Sequence, residues 1–360
     1  MVEYSGVLPL LLKEIRSESE DERITAFYNE NGVDAVFEFV QNKKIVPFAA
    51  KTFAFLGLDK DFWSEKLEFF KSRNLKIIAL LDKIYSTLHR HGVRKMFVTE
   101  NFATLLCADG DLSLFASGDI DNYADISEKE KIYAAFDELG FERRERYAVK
   151  NQIAATFHPH DPEIGEKFYI SVDFHPLARL KLPCFVNADD FVDWSRLSTY
   201  KETDITLPPA DALAYICLLH ISLHSFSRAP DIRLYLDIAN VSKCGADYAK
   251  ISEWCKRDAT CKRAAAAAFL ANRLLGISGL DTLIDLANIE DILTLVYDSK
   301  NNDLLYEPHG FKILKLEGAC DDRRAINAFW HMLFPDRDWM RETYGSTGIV
   351  SHVKHFIRLV

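Results

Sequence analysis

The sequence predicts an α+β protein in which a core that contains a sheet lies between a helical N-terminal segment and a mostly helical C-terminal domain. Three observations support this prediction. Apolar residues recur with helical spacing from residue 8 to about residue 90, short strand-like runs follow, and helical spacing returns from Pro208. We therefore divide the chain into a helical segment at 1–90, a core at 91–185 and a helical domain at 186–360.

Composition and charge limit the class of protein. The 360 residues are 48% hydrophobic and 12% aromatic, which is enough to bury a sizeable core. No apolar run approaches the roughly 18 residues that a membrane span needs, and residues 7–12 lack the basic leader of a signal peptide. Seven cysteines occur without a Cys-x-x-Cys pair, as expected of reduced thiols. We expect a cytoplasmic protein with no membrane partner.

The balance of charge argues against a nucleic-acid partner. The chain has 44 basic and 54 acidic residues, a net charge of −10. Broad electrostatic attraction to a polyanion requires the opposite sign. A nucleotide would therefore have to be held through metal ions.

Local patterns place the elements of the core. Breaks in the helical spacing at Gly57 and at Ser72-Arg73-Asn74 predict separate N-terminal helices. Ser127-Glu128-Lys129-Glu130 predicts a capping box that begins a helix ending near Gly140. The spacing also predicts strands at 95–98, 141–149, 152–158 and 167–174 and helices at 101–107, 210–226, 232–242, 248–257 and 261–275.

An acidic sequence pattern in the core indicates residues that could bind a metal ion and a nucleotide. In Ser117-Gly118-Asp119-Ile120-Asp121, two aspartates separated by one apolar residue place both carboxylates on one face of a strand. Asp173, at the end of another predicted strand, would complete a carboxylate triad for Mg²⁺, with Mn²⁺ as an alternative, and a nucleoside triphosphate. The small residues Ser117 and Gly118 let the backbone approach phosphate. A lone Asp-x-Asp pair is also common in surface turns, which is the alternative interpretation.

These residues resemble a family, the bacterial nucleotidyltransferases of polymerase-beta-like fold, in a branch usually described as uncharacterised. The motif strings of that branch run roughly KGxAL, GDIDLLV and VDLHW. The matching stretches here are Phe97 with the eight residues after it, Gly118-Asp119-Ile120-Asp121-Asn122-Tyr123, and Val172-Asp173-Phe174-His175-Pro176. Leu218-Leu219-His220, Arg233-Leu234-Tyr235-Leu236-Asp237-Ile238-Ala239, Leu333-Phe334-Pro335 and Tyr344-Gly345 continue the similarity.

The resemblance implies a polymerase-beta-like core, a mixed sheet with flanking helices. It implies that Asp119, Asp121 and Asp173 are the catalytic, metal-binding carboxylates and that the helix with Arg233 and Asp237 borders the nucleotide cleft. The family opens the helix before the acidic strand with a Gly followed by Gly or Ser, whose backbone N–H groups touch the triphosphate. Here Glu100-Asn101 occupies that place, and Thr99 replaces the usual lysine.

Several further residues are candidates for nucleotide contact, each with a structural alternative. Thr99 and Asn101 are candidates at the helix start, where Asn101 could replace the serine while Glu100 turns away. His175 shares a strand face with Asp173 and could position acceptor or phosphate, or simply end the strand. Arg233 and Asp237, one helical turn apart, could instead form an intrahelical ion pair.

Two histidine pairs have spacings that a metal site could use. His220 and His224 lie four residues apart on one predicted helix, but without the Glu of an HExxH motif we expect one to pack in the core and the other to face the cleft. His158 and His160 lie in a proline-rich stretch that favours a hairpin loop.

Three functions remain open at this level. The first is a Mg²⁺-dependent nucleotidyltransferase that moves NMP, most simply AMP from ATP, to a hydroxyl or phosphate on a small molecule, peptide or protein, with release of pyrophosphate. The second is a catalytically silent nucleotide- or partner-binding module on the same fold, suggested by Thr99-Glu100-Asn101. The third is an unrelated metal-dependent phosphohydrolase that uses the same carboxylates.

Overall fold

The computed structural model of the chain describes residues 6–149, 152–174, 190–227, 232–305, 311–320, 340–341 and 344–359. Within these ranges the protein is α+β, with helices around a small mixed sheet. Buried apolar side chains from the N-terminal, central and C-terminal parts belong to one continuous hydrophobic cluster. No helix in these ranges is long and apolar enough to cross a bilayer.

The described N-terminal part is helical, as predicted. Its helices are α1 (Leu8–Leu12), α2 (Glu18–Asn42), α3 (Val46–Phe55) and α4 (Lys60–Arg90). Trp63 is fully buried, and its indole N–H donates a 2.9 Å hydrogen bond to the hydroxyl of Tyr28. The predicted break at Gly57 is confirmed, because Gly57 lies between α3 and α4 with a φ of 74°.

The second predicted break is wrong, since α4 runs continuously through residues 72–74. Arg73 and Asn74 turn inward instead of ending the helix, while Ser72 is exposed. The buried Asn74 amide donates to the carbonyl oxygens of Leu112 and Phe115, at 2.6 and 2.9 Å. The Arg73 guanidinium donates to the carbonyl oxygen of Ser117 at 2.7 Å. The helix therefore holds the loop that leads into the acidic strand.

In the part of the chain that the structure describes, five strands form the mixed sheet, in the order β1-β2-β5-β4-β3. They are β1 (Met96–Val98), β2 (Asp119–Ala124), β3 (Glu142–Val149), β4 (Gln152–His158) and β5 (Tyr169–Asp173). The acidic strand β2 lies parallel to β5, and the other neighbouring pairs are antiparallel. The two strands that carry the predicted triad are therefore adjacent.

One face of the sheet packs on helices. The Tyr85 hydroxyl of α4 donates a buried 2.8 Å hydrogen bond to the side-chain oxygen of Asn122 in β2. Phe136 of α6 (Lys129–Glu138) stacks on Phe157 of β4, with ring centroids 3.8 Å apart. Because side chains alternate along a strand, the neighbours of Asn122 in β2 that carry carboxylates point to the opposite face.

The predicted capping box at the start of α6 does not form. The first helical residue follows Glu128, whose side chain makes no capping hydrogen bond. Instead, the Asp125 carboxylate accepts from the backbone N–H of Ser127 at 2.8 Å and caps a short 3₁₀ turn before the helix. The capping residue is therefore Asp125, two residues before Ser127, because aspartate caps a turn as well as serine does.

The C-terminal part is mostly helical, as predicted, and packs against the core. Its described helices are α7 (Ala210–Leu223), α8 (Arg233–Val241), α9 (Tyr248–Arg257), α10 (Cys261–Leu275), α11 (Asp281–Ile284), α12 (Glu290–Val296), α13 (Phe311–Cys320) and α14 (Ile349–Leu359), with short hairpins β6 (Ser198–Thr199) and β7 (Thr206–Leu207), and β8 (Tyr297–Asp298) and β9 (Asp303–Leu304). Five consecutive alanines of α10 are fully buried and let it approach α7 and α8 closely.

Candidate active site

The strand register brings the acidic residues to one face of the sheet. In the parallel pair, Asp121 lies opposite Ser171 and Asp173 lies opposite Tyr123. Paired positions in a sheet share a face, so Asp119, Asp121 and Asp173 project to the same side. That side is opposite to the one covered by α4 and α6. The sequence prediction of a shared face is therefore confirmed.

The carboxylate of Asp119 is held by two neutral donors. The Ser117 hydroxyl donates to Oδ1 at 2.5 Å, and the Tyr169 hydroxyl donates to Oδ2 at 2.9 Å. Asp119 itself is half-buried, while Asp121 is only 6% exposed. Hydrogen bonds to both oxygens fix the orientation of a carboxylate. Asp119 is thus a preoriented carboxylate on the acidic face of the sheet.

The acidic face has the donor chemistry that suits a hard cation. Among the residues that the structure describes, no group of three or more His, Cys, Asp or Glu side chains is placed to hold a metal ion. Mg²⁺ is usually bound through one or two carboxylates together with waters and substrate phosphates, not by an all-protein cage. A pair formed by Asp119 and Asp121 fits that mode.

The helix α5 (Glu100–Cys107) begins beside the acidic strand. The backbone N–H of Thr99, which precedes the helix, donates a 2.8 Å hydrogen bond to the carbonyl oxygen of Asp121. The Thr99 side chain makes no capping hydrogen bond, and its buried hydroxyl has no hydrogen-bond partner in the described structure. The side-chain oxygen of Asn101 is also without a partner there. The start of α5, with these two unsatisfied side chains, therefore adjoins the backbone of the acidic strand at Asp121.

Glu100 occupies the position where the resembling family has glycine, and it adopts a backbone conformation that favours glycine. Its φ is 57°, in the left-handed region. Its side chain turns toward α7, where Oε2 lies 3.3 Å from Nδ1 of His220. Both side chains are nearly buried. The side chain of Glu100 thus turns away from the acidic strand, as in the first of the possibilities that the sequence left open, and lies against His220.

Asp237 of α8 contacts α5. Its carboxylate accepts a 3.0 Å hydrogen bond from the hydroxyl of Thr104, and only 4% of the residue is exposed. Burial raises the pKa of Asp237 to about 7, while the charge of Arg233 and the Thr104 hydrogen bond oppose that rise and the charge of Asp121 adds to it. The helix with Asp237 therefore lies within electrostatic reach of the acidic strand.

Arg233 influences Asp237 through its charge, but the two residues do not form a close ion pair in the described structure. The buried Nε of Arg233 has no hydrogen-bond partner among the described residues. The intrahelical ion pair expected from their spacing is therefore not made as a direct contact. An unsatisfied guanidinium nitrogen is a group that a phosphate or carboxylate of a ligand could satisfy.

The remaining predicted residues are distributed as follows. His175 lies outside the described residues. Gly118 is exposed beside Asp119, with open space where a Cβ would lie. His220 is buried and His224 is half-buried, with ring centroids 4.8 Å apart. His160 pairs with Glu142 at 3.0 Å.

Sequence reasoning missed two residues of this site, Tyr169 and Thr104, and the role of a third, His220. Tyr169 could have been found, because it precedes Asp173 by four residues on one strand and so shares its face. The roles of Thr104 and His220 could not, since their partners lie more than 100 residues away in the sequence. No local pattern reports such contacts.

Comparison with known proteins gives one similarity. No protein-family model and no curated protein matches the chain. Among solved structures, the search finds the antibiotic-resistance factor ANT(2'')-Ia, at 12% sequence identity and a TM-score of 0.32 over 52% of this chain and 97% of that chain. A similarity of this size does not place the chain in a family.

Proposed function

We propose that the protein is a Mg²⁺-dependent nucleotidyltransferase. It would move NMP, most simply AMP from ATP, to a hydroxyl or phosphate acceptor on a small molecule, peptide or protein, and release pyrophosphate. The observation that carries this proposal is the backbone hydrogen bond from Thr99 to Asp121, which joins the start of α5 to the strand whose one face has Asp119 and Asp121. Anion donors and metal-binding carboxylates together are what a metal-bound triphosphate requires.

The side chains support distinct roles in this reaction. Asp119 and Asp121 would hold the ion, with Asp173 on the same face; when bound, Mg²⁺ neutralises triphosphate charge and makes the acceptor hydroxyl more acidic. The first N–H groups of α5, with the hydroxyl of Thr99 and the amide of Asn101, would bind phosphate oxygens. Arg233, with its unsatisfied Nε, would contact the nucleotide from α8.

Every bond formed or broken in the proposed reaction, and the acceptor proton, can be accounted for. The acceptor oxygen attacks the α-phosphorus and forms the new P–O bond, while the bond to the β-phosphate oxygen breaks and pyrophosphate leaves. The acceptor proton would pass to Asp173, which lies on the face of the sheet where the ion would bind. A carboxylate that receives this proton supplies general-base catalysis.

The silent module is the second candidate, and Glu100 is the observation that favours it. Glu100 puts an acidic residue at the start of α5, where the resemblance would have glycine beside the phosphates, although its carboxylate is paired with His220. Such a protein would bind a nucleotide or a partner through the same residues without turnover.

The test uses ATP labelled on the α- or on the γ-phosphate, with Mg²⁺ and a panel of hydroxyl and phosphate acceptors. Nucleotidyl transfer moves the α label to an acceptor and releases the γ label as pyrophosphate. Release of orthophosphate would indicate the phosphohydrolase instead. Nucleotide binding with neither product across the panel would indicate the silent module. Asp119→Asn should abolish transfer, whereas Asp137→Asn, at an exposed position on α6, should not.

A further inference from the structure

We propose that His220 is a positioning residue that keeps the carboxylate of Glu100 away from the phosphate-binding end of α5. The inference rests on the nucleotide-binding function proposed above. It assigns a role to two nearly buried side chains, one on α5 and one on α7, that the reaction itself does not use.

Glu100 lies where its carboxylate could interfere with nucleotide binding. It is the first residue of α5, and the partial positive charge at the start of a helix attracts a carboxylate as well as a phosphate. A free glutamate side chain there could occupy the place of a phosphate oxygen, or be drawn to the cation held by Asp119 and Asp121. Either arrangement would compete with the triphosphate, because like charges at close range repel.

The structure shows how the carboxylate is directed elsewhere. Oε2 of Glu100 lies 3.3 Å from Nδ1 of His220, and the two side chains are 14% and 10% exposed. The positive φ of Glu100, 57°, sets the direction in which its side chain leaves the helix. An ion pair or hydrogen bond that is largely shielded from water is much stronger than an exposed one. The pairing therefore holds the charge on the α7 side of α5.

The groups around His220 make an unpaired negative charge unfavourable on this side of α5. His224 lies beside His220, with ring centroids 4.8 Å apart. On the same side, burial raises the pKa of the Cys217 thiol, and the charges of Asp237 and Glu100 and the thiol of Cys107 add to that rise. Without His220, the Glu100 carboxylate would face a buried surface that already disfavours negative charge. It would turn toward the helix start and the cation instead.

A double-mutant cycle on the full chain tests this role. The probe is a non-hydrolysable ATP analogue with Mg²⁺, and its dissociation constant is measured by titration calorimetry. His220→Leu should weaken binding about tenfold through the released charge. The same change in a Glu100→Gln background should have little effect, because the amide carries no charge. His220→Gln, which keeps a hydrogen-bond donor, should bind close to wild type.

Each possible result either supports or overturns the proposed role of His220. An equal loss from His220→Leu in both backgrounds, or no loss in either, would show that His220 only packs, and would overturn the proposal while leaving the nucleotide site intact. If wild type binds no nucleotide, the proposed function and this inference fail together. Should His220→Leu not fold, as judged by circular dichroism, Glu100→Asp must show the loss. It keeps the charge at the helix start but shortens the reach to His220.

Discussion

The hydroxyl of Tyr169 donates a 2.9 Å hydrogen bond to Oδ2 of Asp119, across the parallel pair of β2 and β5. The other carboxylate oxygen accepts from Ser117 at 2.5 Å. Both partners are neutral, so they orient the carboxylate without cancelling its charge. Asp119 can therefore attract a cation while its geometry is fixed before any ligand arrives, which lowers the entropy lost on binding.

The Ser117 hydrogen bond should contribute to metal and nucleotide affinity. In the presence of Mg²⁺, Ser117→Ala should weaken binding of the ATP analogue by roughly 1.5 kcal/mol, about tenfold. The reason is that the lost hydrogen bond is made to a charged group. Ser127→Ala is the matched control, since the Ser127 hydroxyl donates to Asp125 at the same 2.5 Å distance but at an exposed turn. Calorimetry on both variants measures the difference. Equal affinities would contradict a role for Ser117 in orienting Asp119.

The buried carboxyl of Asp237 should make stability fall as pH rises. Its folded pKa is about 7, above the roughly 3.9 expected in the unfolded chain. The folded state therefore holds a proton that the unfolded state has lost, and this contribution is full below about pH 4 and disappears as pH rises through about 7.

Asp237→Asn removes this titration and can still accept the Thr104 hydrogen bond. Relative to this variant, wild type should lose more than about 1 kcal/mol of unfolding free energy between about pH 4 and pH 7. Urea unfolding at a series of pH values provides the measurement. Parallel curves for the two proteins would show that Asp237 ionises normally in the folded state.

The left-handed backbone conformation of Glu100 should make the stabilities of a glycine and an alanine variant differ. Glu100→Gly and Glu100→Ala both remove the carboxylate, but only glycine adopts a φ of 57° without strain. The glycine variant should be more stable than the alanine variant by about 1 kcal/mol. Chemical denaturation measures this difference. An alanine variant that is equally stable would mean that the helix start relaxes to an ordinary conformation.

The Tyr85–Asn122 bond should hold the acidic strand in register. The Asn122 amide also donates to the carbonyl oxygen of Ser171 at 3.1 Å, so this side chain connects α4, β2 and β5. Asn122→Ala should destabilise the protein by about 2 kcal/mol, because buried polar groups lose their partners. Tyr85→Phe breaks only the first contact and should cost less. If the double variant is destabilised by the full sum of the two single effects, the side chains are not coupled.

The sequence predicted elements well where local pattern determines them. Strand alternation located β4 at its observed bounds, and helical spacing did the same for α9 and α10. The break predicted at residues 72–74 failed because Asn74 has its hydrogen-bond partners in a loop almost 40 residues later, which no window of neighbouring residues reveals. Polar residues inside a helix are breakers only when they bond locally.

The site shows the same division. Alternation alone predicted that Asp119 and Asp121 share a face, and the position of Asp173 at a strand end brought it to them. The direction of Glu100 could not be predicted, because it depends on His220, 120 residues away, and on the packing of α7 against α5. Tertiary contacts, and not propensity, decide where a buried charge points.

The proposed function requires that the carboxylates of β2 bind a nucleotide through Mg²⁺. The most direct measurement is calorimetric titration of non-hydrolysable ATP, GTP, CTP and UTP analogues, with Mg²⁺ and with EDTA, into wild type, Asp119→Asn/Asp121→Asn and the control Asp137→Asn. We expect wild type and the control to bind at least one analogue only when Mg²⁺ is present, and the double variant to bind none. Binding that survives in the double variant or in EDTA, or no binding by wild type to any analogue, would contradict the claim.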